Sequence, residues 1–293
     1  MKKLLTLILI GGSVLISSCN GKRIHISETN LGLDNTGFPV NEKFFLNGDP
    51  FTGIIFDEND ENQVLFEINF KEGFMDGPVV KYYDDGELKY KGNYKQGEKD
   101  GPFEGYYDNG QLKLSGGYKL GDRDGLYKGY FENGTLKVVS NYIEGKLDGP
   151  FESYYENGQL LEKGNYKMGE LDGPFEKYHY NGNTMESGNY KLGQLDGQFR
   201  KFFETGKLEE LINYKDGRKD GPFFKYHQKN GQLSESGSHK NGNREGPFES
   251  YYENGQLKLK GTFSKGDLVG PYVEYYEGGQ VKGSGVVNIL PKT

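Results

Sequence analysis

Short runs in which apolar and polar residues alternate recur along most of this chain, and each run ends at turn-forming residues. In residues 148–167, the runs Phe-Glu-Ser-Tyr and Leu-Glu-Lys-Gly-Asn-Tyr lie on either side of the dipeptide Asn157-Gly158. Alternation with a period of two is typical of a β-strand with one buried face. Asn-Gly favours a two-residue type I′ turn, in which both central residues adopt positive φ. We therefore predict a β-hairpin with its turn at Asn157-Gly158.

The same pattern repeats along the chain with a spacing of 24 residues, apart from one spacing of 25. The units begin with Asp-Gly or its equivalent at Asp76, Asp100, Asp124, Asp148, Asp172, Asp196, Asp220, Glu245 and Val269. A single hairpin is only marginally stable in water, whereas stacked copies support one another. The predicted fold is all-β, an elongated antiparallel meander of tandem 24-residue β-hairpins. At about 4.8 Å per strand, nine repeats extend for about 90 Å.

The predicted turn also sets the register of each hairpin, because a two-residue loop leaves one way to pair the strands. In residues 148–167 the expected cross-strand pairs are Tyr155–Leu160, Glu152–Lys163 and Phe151–Gly164. This register places Phe151 and Gly164 on an apolar face, where an aromatic ring covers the glycine. It places Tyr154 on the opposite, polar face together with Glu152 and Lys163.

Composition supports strands and argues against helical folds. Glycine accounts for 46 of the 293 residues, and the chain contains neither alanine nor tryptophan. Alanine is the best helix former and glycine penalises helix interiors, so a helical bundle and a doubly wound α/β enzyme are disfavoured. Hydrophobic residues make up only 33% of the chain, so we expect no thick globular core.

The N-terminal residues are typical of a secretory signal, because Lys2 and Lys3 precede an apolar run that is too short to span a bilayer. The sequence Ile-Ser-Ser-Cys19 resembles a bacterial lipobox, which implies cleavage before Cys19 and lipidation of that residue. The alternative is an ordinary signal peptide with a chance cysteine. We expect a protein of the bacterial cell envelope that contacts the membrane through this lipid, with the periplasmic side of the outer membrane favoured.

Four segments follow from these observations. They are a signal peptide (1–18), a lipid-anchored tether (19–46), a degenerate first repeat (47–75) and nine tandem repeats (76–293).

No residues in this sequence have the spacing of an enzyme site or a metal site. His25, His179, His227 and His239 lack metal-ligand spacing, and His179 and His227 occupy the second-tyrosine position of their repeats, where we interpret them as packing substitutes. Carboxylate pairs recur in every repeat, which is typical of a solvated face and not of one desolvated catalytic pair. The net charge is −7 and no basic stripe is visible, which argues against nucleic-acid binding. We predict no enzymatic activity, no metal and no cofactor.

One tyrosine position recurs in nearly every repeat and is the candidate binding stripe. Its members are Tyr82, Tyr106, Tyr130, Tyr154, Tyr178, Tyr226, Tyr251 and Tyr275, with Phe202 in the sixth unit. Tyrosine offers a large contact area at low entropic cost, so an exposed stripe is suited to a protein or a glycan. Alternatively, the rings pack along their own sheet and fill the space between lysines.

The recurring elements Gly-Pro-Phe, Tyr-Tyr, Asn-Gly and Gly-Asn-Tyr resemble those of the MORN-repeat family, specifically its bacterial variant branch, from residue 76 to about 287. The resemblance implies an elongated, curved sheet of β-hairpins without a catalytic site of its own. Ser140 and Ile212 depart from the pattern by replacing the repeat glycine, and an insertion near Gln228 is expected to shift the register of the seventh repeat.

Three functions remain open at this point. The first is a non-enzymatic, lipid-anchored scaffold that binds a protein partner through the tyrosine stripe. The second is an antitoxin or immunity protein that neutralises a partner toxin, a label that many bacterial relatives carry; export through Cys19 fits poorly with a cytosolic toxin. The third is glycan or peptidoglycan binding through the same stripe.

Overall fold

The computed structural model describes residues 22–34, 37–39 and 43–287. The predicted signal peptide (1–18) and Cys19 lie outside the described residues, so the lipid anchor stays a prediction. None of the described segments forms a helix with the length and apolar character that crossing a bilayer requires.

Strands are the main secondary structure of the described residues. The N-terminal elements are β1 (Lys22–His25), one 3₁₀-helix (Ile26–Glu28), β2 (Phe45–Leu46), β3 (Asp49–Pro50), β4 (Gly53–Glu58) and β5 (Val64–Lys71). The strands that follow are β6 (Phe74–Tyr82), β7 (Leu88–Lys95), β8 (Glu98–Lys99), β9 (Gly101–Tyr106), β10 (Leu112–Lys119), β11 (Asp122–Arg123), β12 (Gly125–Tyr130), β13 (Leu136–Ile143), β14 (Lys146–Tyr154), β15 (Leu160–Lys167), β16 (Glu170–Leu171) and β17 (Gly173–Tyr178). The remaining strands are β18 (Thr184–Lys191), β19 (Gln194–Leu195), β20 (Gly197–Phe202), β21 (Leu208–Lys215), β22 (Arg218–Tyr226), β23 (Leu233–Lys240), β24 (Asn243–Arg244), β25 (Gly246–Tyr251), β26 (Leu257–Ser264), β27 (Asp267–Tyr275) and β28 (Val281–Val287).

From β4 onward these strands pair in antiparallel order, first within a hairpin and then with the next hairpin along the chain. For example, β14 pairs with β15, β15 with β17, and β17 with β18. All strands except β2 and β3 belong to one 26-stranded sheet. The predicted all-β meander of tandem hairpins is confirmed.

The Asn-Gly turn differs from the predicted type I′ turn. Gly158 has a φ of 84°, but Asn157 is not among the described residues with positive φ. Tyr155 N–H donates to Gln159 O at 2.8 Å, which leaves a three-residue loop in which the left-handed glycine forms a bulge. The extra loop residue shifts the pairing at the strand end, so Leu160 lies opposite Tyr154 and the predicted Tyr155–Leu160 pair is wrong. The Glu152–Lys163 and Phe151–Gly164 pairs are confirmed.

Two-residue turns occur at the opposite edge of the sheet, in the segment that the sequence indicated only as a glycine-rich connection. Met168 and Gly169 lie between the paired residues Lys167 and Glu170, and both have positive φ, 54° and 91°. This is the backbone that a type I′ turn requires. The same turn recurs at residues 96–97, 120–121, 144–145, 192–193, 216–217, 241–242 and 265–266.

On the apolar face, aromatic rings cover the strand glycines, and the ring comes from the same hairpin at Gly116 and from the next hairpin at Gly164. A Cβ atom on Gly164 would lie 3.1 Å from Phe175 Cδ2. Within its own hairpin, Phe151 packs edge-on against Tyr166 at a centroid distance of 5.5 Å. Ser140 and Ile212, which replace the glycine, are each only 2% exposed, so the sheet accommodates larger side chains there.

The insertion near Gln228 leaves the strand register intact, which corrects the prediction of a shift. Tyr226 still pairs with Leu233, and Phe223 still pairs with Gly237. The turn absorbs the extra residue, because Gly231 N–H donates to His227 O at 2.8 Å across one more residue than in the other repeats. A surface turn tolerates insertion at lower cost than a strand in which every later side chain would change face.

Part of the segment predicted as a tether (19–46) is instead packed against the first hairpin. β1 pairs with β4 in parallel, with Lys22 opposite Gly53. Ile24, Leu31 and Phe44 are buried in a cluster with residues of β4 to β7. Burial of these apolar side chains covers one end of the sheet, which a spacer would leave open.

Candidate binding face

The predicted stripe lies on one face of the sheet, which we call the tyrosine face. Side chains two positions apart on a strand share a face, so Glu152 and Tyr154 project to the same side, and Lys163 joins them from the paired strand. The Tyr154 hydroxyl donates a hydrogen bond to Glu152 Oε2. The same bond joins Tyr106 to Glu104, Tyr178 to Glu176 and Tyr251 to Glu249.

Lysines pair with the glutamates of three of these four tyrosine–glutamate pairs. Lys163 Nζ lies 3.3 Å from Glu176 Oε2, and Lys91 Nζ lies 2.7 Å from Glu104 Oε2, so each of these lysines reaches the next hairpin. Lys260 Nζ lies 2.8 Å from Glu249 Oε1 within its own hairpin. Such exposed ion pairs add little stability.

The electrostatics of these clusters favour a neutral tyrosine beside an ionised glutamate. Burial and the hydrogen bond to Glu152 raise the pKa of Tyr154 to about 12. The hydrogen bond to Glu249, together with burial, raises the pKa of Tyr251 to about 12. Hydrogen bonds from Lys260 and Tyr251 lower the pKa of Glu249. The hydroxyls therefore remain donors at neutral pH.

Each tyrosine of the stripe is half-buried, so part of its surface remains open to solvent. This holds for Tyr82, Tyr106, Tyr130, Tyr154, Tyr178, Tyr226, Tyr251 and Tyr275. The rings succeed one another at about 10 Å, because each repeat contributes two strands.

Shallow grooves open beside the stripe at equivalent places in different repeats. One groove of about 290 Å³ is lined by residues that include Pro150, Lys163, Asn165, Pro174 and Glu176. A second, of about 250 Å³, has the equivalent residues Pro78, Lys91, Asn93, Pro102 and Glu104. The prolines form apolar walls, and the charged side chains provide donors and acceptors. Sequence reasoning missed these grooves, although the recurrence of Pro and Asn at fixed repeat positions is a usable signal.

The residue after the stripe tyrosine connects successive hairpins. Tyr155 OH donates to Tyr178 O at 2.8 Å, and equivalent bonds join Tyr83 to Tyr106, Tyr107 to Tyr130 and Tyr252 to Tyr275. His179 Nε2 lies 3.1 Å from Phe202 O, and His227 Nε2 lies 3.0 Å from Tyr251 O. A carbonyl oxygen only accepts, so Nε2 carries the proton in both histidines. These histidines therefore replace the hydrogen bond of tyrosine as well as its ring. Among the described residues, no group of three or more His, Cys, Asp or Glu side chains is arranged to hold a metal ion.

A concave site near the C-terminal end of the sheet was not anticipated from the sequence, although its lining includes the stripe residues Tyr251 and Tyr275. It has a volume of about 440 Å³, and its lining includes Arg244, Glu235, Phe248 and Phe263. The Arg244 guanidinium carbon lies 4.8 Å from the ring centroid of Phe248, and Nη2 bonds Glu235 Oε2 at 3.0 Å. The two phenylalanine rings and the carboxylate already contact this guanidinium.

The fold and this face define a tandem β-hairpin repeat protein with a periodic tyrosine-lined face. The family model of the MORN repeat variant (MORN_2) matches residues 75–96, 99–119, 123–144, 147–168, 171–192, 195–216 and 244–265. These segments make up more than half of the chain, which therefore belongs to this family. The unit with the insertion near Gln228 falls between the last two matched segments.

No curated protein matches this chain. Among solved structures, the chain is similar to a chain of the Photorhabdus luminescens Tc holotoxin pore, at 15% identity and a TM-score of 0.21 over 88% of this chain. It is also similar to a chain in the crystal structure of TcdB2-TccC3-TEV, at 12% identity and a TM-score of 0.20 over 84% of this chain. In both cases it covers 17% of the matched chain.

Proposed function

We propose that this protein is a non-enzymatic scaffold that binds a protein partner through the tyrosine face, and that a lipid on Cys19 holds it at the bacterial cell envelope. MORN repeats support a repeat scaffold for binding. The recurring Lys–Glu–Tyr clusters are the observation from which we infer that the tyrosine face is the one that binds. Tyrosines at a fixed spacing can contact an extended partner at several points, so that individually weak contacts add up.

The physical reason for assigning binding to the tyrosine face is that its side chains are already held in place before a partner binds. The hydroxyls of Tyr106, Tyr154, Tyr178 and Tyr251 are already bonded to glutamates. Rings held in one orientation lose less entropy on binding than mobile side chains do. The proline-walled grooves between the clusters would admit apolar side chains of the partner, and the lysines and glutamates would set its orientation.

The binding face can be tested by photo-crosslinking in the producing bacterium. A photoreactive phenylalanine at position 154 is expected to capture the partner, and the same group at Tyr276, an exposed tyrosine outside the stripe (53% exposed), is expected not to capture it. With the identified partner, Tyr154→Ala combined with Tyr178→Ala should weaken binding by about tenfold or more, whereas Tyr180→Ala combined with Tyr276→Ala should leave it nearly unchanged. Equal binding by both double variants would refute the proposed face.

The same experiment separates the other functions. If the captured protein is a toxin whose activity is suppressed, the antitoxin function is correct. If nothing is crosslinked but isolated sacculi retain the protein through Tyr154 and Tyr178, the partner is peptidoglycan.

The lipid anchor needs its own test. Labelled palmitate should enter the wild-type protein in membranes, and Cys19→Ser should abolish both the label and the membrane association. An unlabelled wild-type protein would remove the anchor from the proposal and leave the tyrosine face untouched.

A further inference from the structure

The apolar face, which lies opposite the tyrosine face, carries a row of exposed lysines in its N-terminal half. Each lysine ammonium lies 5.1, 5.1 or 5.4 Å from the centroid of an aromatic ring, in the pairs Lys89–Tyr83, Lys113–Tyr107 and Lys137–Phe131. Each ring directly follows a residue of the tyrosine stripe, so strand alternation places it on the opposite face. Among the described residues, none of these three lysines forms an ion pair.

In β7, β9, β10, β12 and β13, no carboxylate lies on the apolar face. Four of these strands contain neither Asp nor Glu, and the one carboxylate of β9, Glu104, lies on the tyrosine face. The other carboxylates of residues 83–143 lie in turns, in connections or in the short strands β8 and β11. Arg123 adds a further cation to the apolar face, with its guanidinium carbon 4.8 Å from the ring centroid of Tyr127. This part of the face is therefore cationic, although the whole chain has a net charge of −7.

A row of small and apolar residues runs beside the lysines. Leu114 pairs with Gly105 on one side and with Gly129 on the other, and Gly129 pairs in turn with Val138. A Cβ atom on Gly129 would lie 2.9 Å from Val138 Cγ1, so the valine side chain covers that glycine. Since Lys113 directly precedes Leu114 in the chain, the cationic row and the apolar row are adjacent.

Both rows change character in the C-terminal half of the same face. Glutamates replace Leu114 and Val138, and lysines replace the glycines, at positions Glu162, Lys177, Glu186, Lys201, Glu210, Lys225 and Glu235. Lys225 Nζ lies 3.7 Å from Glu210 Oε1 and 3.6 Å from Glu235 Oε2, so these charges neutralise one another. The row of lysines over rings also ends, because its position is held by Leu161, Met185 and Glu209.

We propose that the N-terminal half of the apolar face binds an acidic, extended segment of a partner protein. Successive lysines of the row are about 10 Å apart, because each repeat contributes two strands. Three residues of an extended polypeptide also span about 10 Å, so acidic side chains at every third residue can reach the lysines in turn. Apolar side chains of the same segment would contact Leu114 and Val138.

A polypeptide suits this surface better than a nucleic acid or an anionic bilayer does. A phosphate backbone supplies charge but no apolar side chains for Leu114 and Val138. The net charge of −7 also repels an extended polyanion, whereas a short acidic segment contacts only the cationic row. The sequence showed no basic stripe because these lysines are 24 residues apart, and the sheet alone brings them into line. The site does not depend on the tyrosine face, which lies on the other side of the sheet.

Fluorescence anisotropy with the full-length protein and a labelled synthetic peptide tests the chemistry of the partner. The peptide carries glutamate at every third residue, with leucine and serine between, and a second peptide carries glutamine in place of glutamate. We expect the glutamate peptide to bind about tenfold or more tightly than the glutamine peptide, and added salt to weaken its binding. The proposal is overturned if the protein binds neither peptide or binds both equally. Binding of DNA or anionic vesicles, but not of the peptide, through the same lysines would also overturn it.

Charge reversal locates the site. Lys89→Glu, Lys113→Glu and Lys137→Glu combined should raise the dissociation constant of the glutamate peptide by about tenfold or more. The matched control combines Lys167→Glu, Lys191→Glu and Lys215→Glu, which have the same spacing and the same change in net charge but lie beside the two-residue turns. The control should bind nearly as the wild type does. Equal weakening in both triple variants would assign binding to overall charge and remove the site.

A further variant tests the apolar row while keeping the hairpins folded. Leu114→Glu combined with Val138→Glu installs the residue that later repeats hold at the same position, as in Glu162 and Glu186. The new carboxylates should pair with the lysines and repel the peptide, so binding should fall by about tenfold or more while the thermal unfolding midpoint stays close to that of the wild type. Unchanged peptide binding in this variant would show that the peptide lies elsewhere.

Discussion

The carboxylate of Asp148 accepts a hydrogen bond from the backbone N–H of Met168, twenty residues later, at 3.1 Å from Oδ2. Met168 is the left-handed first residue of the type I′ turn. The first residue of the repeat thus stabilises the turn that ends it. The equivalent bonds join Asp76 to Gln96, Asp172 to Leu192, Asp196 to Asp216, Asp220 to Asn241 and Glu245 to Lys265.

Asp148→Ala should therefore lower the free energy of unfolding by about 1 kcal/mol, because one hydrogen bond to a charged acceptor is lost. Urea unfolding monitored by tyrosine fluorescence measures the change. The matched control is Asp124→Ala, because Asp124 holds the same repeat position without a side-chain bond to its turn. If both variants unfold at the same urea concentration, the bond has no stabilising role.

Met168→Asn should raise the free energy of unfolding by about 0.5–1 kcal/mol, because asparagine adopts the left-handed region more readily than methionine. Little burial is lost, since Met168 is 58% exposed. The reciprocal change, Asn241→Met at the equivalent turn (φ 51°), should lower stability by a similar amount. Changes of the same sign in both variants would contradict the strain argument.

Tyr155→Phe should lower the free energy of unfolding by about 1 kcal/mol, because the hydroxyl that reaches Tyr178 O is removed while the ring remains. His179→Phe should cost a similar amount through the loss of the bond to Phe202 O. His227→Tyr should be tolerated, since tyrosine makes the equivalent bond in other repeats. The thermal unfolding midpoints of the three variants measure these differences in stability. If Tyr155→Phe does not lower the midpoint, ring packing alone joins the hairpins.

Stability should fall at alkaline pH. The pKa values of Tyr154 and Tyr251 are raised to about 12, whereas tyrosine in an unfolded chain titrates at about 10. The folded state therefore holds these protons more tightly, and the associated stability is complete below pH 10 and lost as the pH rises towards 12. The urea midpoint should fall over this range, and Tyr154→Phe with Tyr251→Phe should make the fall shallower. An equally steep fall in that double variant would assign the loss to other groups.

Lys81 should make stability rise with pH, in a pH range that begins below the one in which the tyrosines titrate. Burial is the largest cause that lowers its pKa from 10.5 to about 8. Its Nζ lies 3.2 Å from the ring centroid of Phe38. Between pH 8 and 10.5 the unfolded chain binds the proton that the folded chain has released, so stability rises with pH in this window. Lys81→Met should remove that rise in the urea midpoint, and an unchanged pH profile would show that Lys81 is not its source.

Much of the fold could be predicted because the signals are local and repeated. The two-residue alternation places Phe151 and Tyr154 on opposite faces, whatever the rest of the chain does. The recurrence of the pattern at 24 residues then identified the tandem hairpins. The stripe could be located for the same reason, but the hydrogen bonds from its hydroxyls to glutamates depend on side-chain orientation, which the pattern does not contain.

The sequence by itself determined the repeat length, the all-β architecture and the two faces, because side-chain period and turn propensity are properties of neighbouring residues. Only the tertiary structure decided which glycine dipeptide becomes the two-residue turn, since the Asp148–Met168 bond joins residues that are distant in sequence. It also decided that the turn absorbs the insertion near Gln228, and that Ile24 and Leu31 close one end of the sheet. These outcomes depend on burial and hydrogen bonding between separate segments, which compete with local preference and override it here.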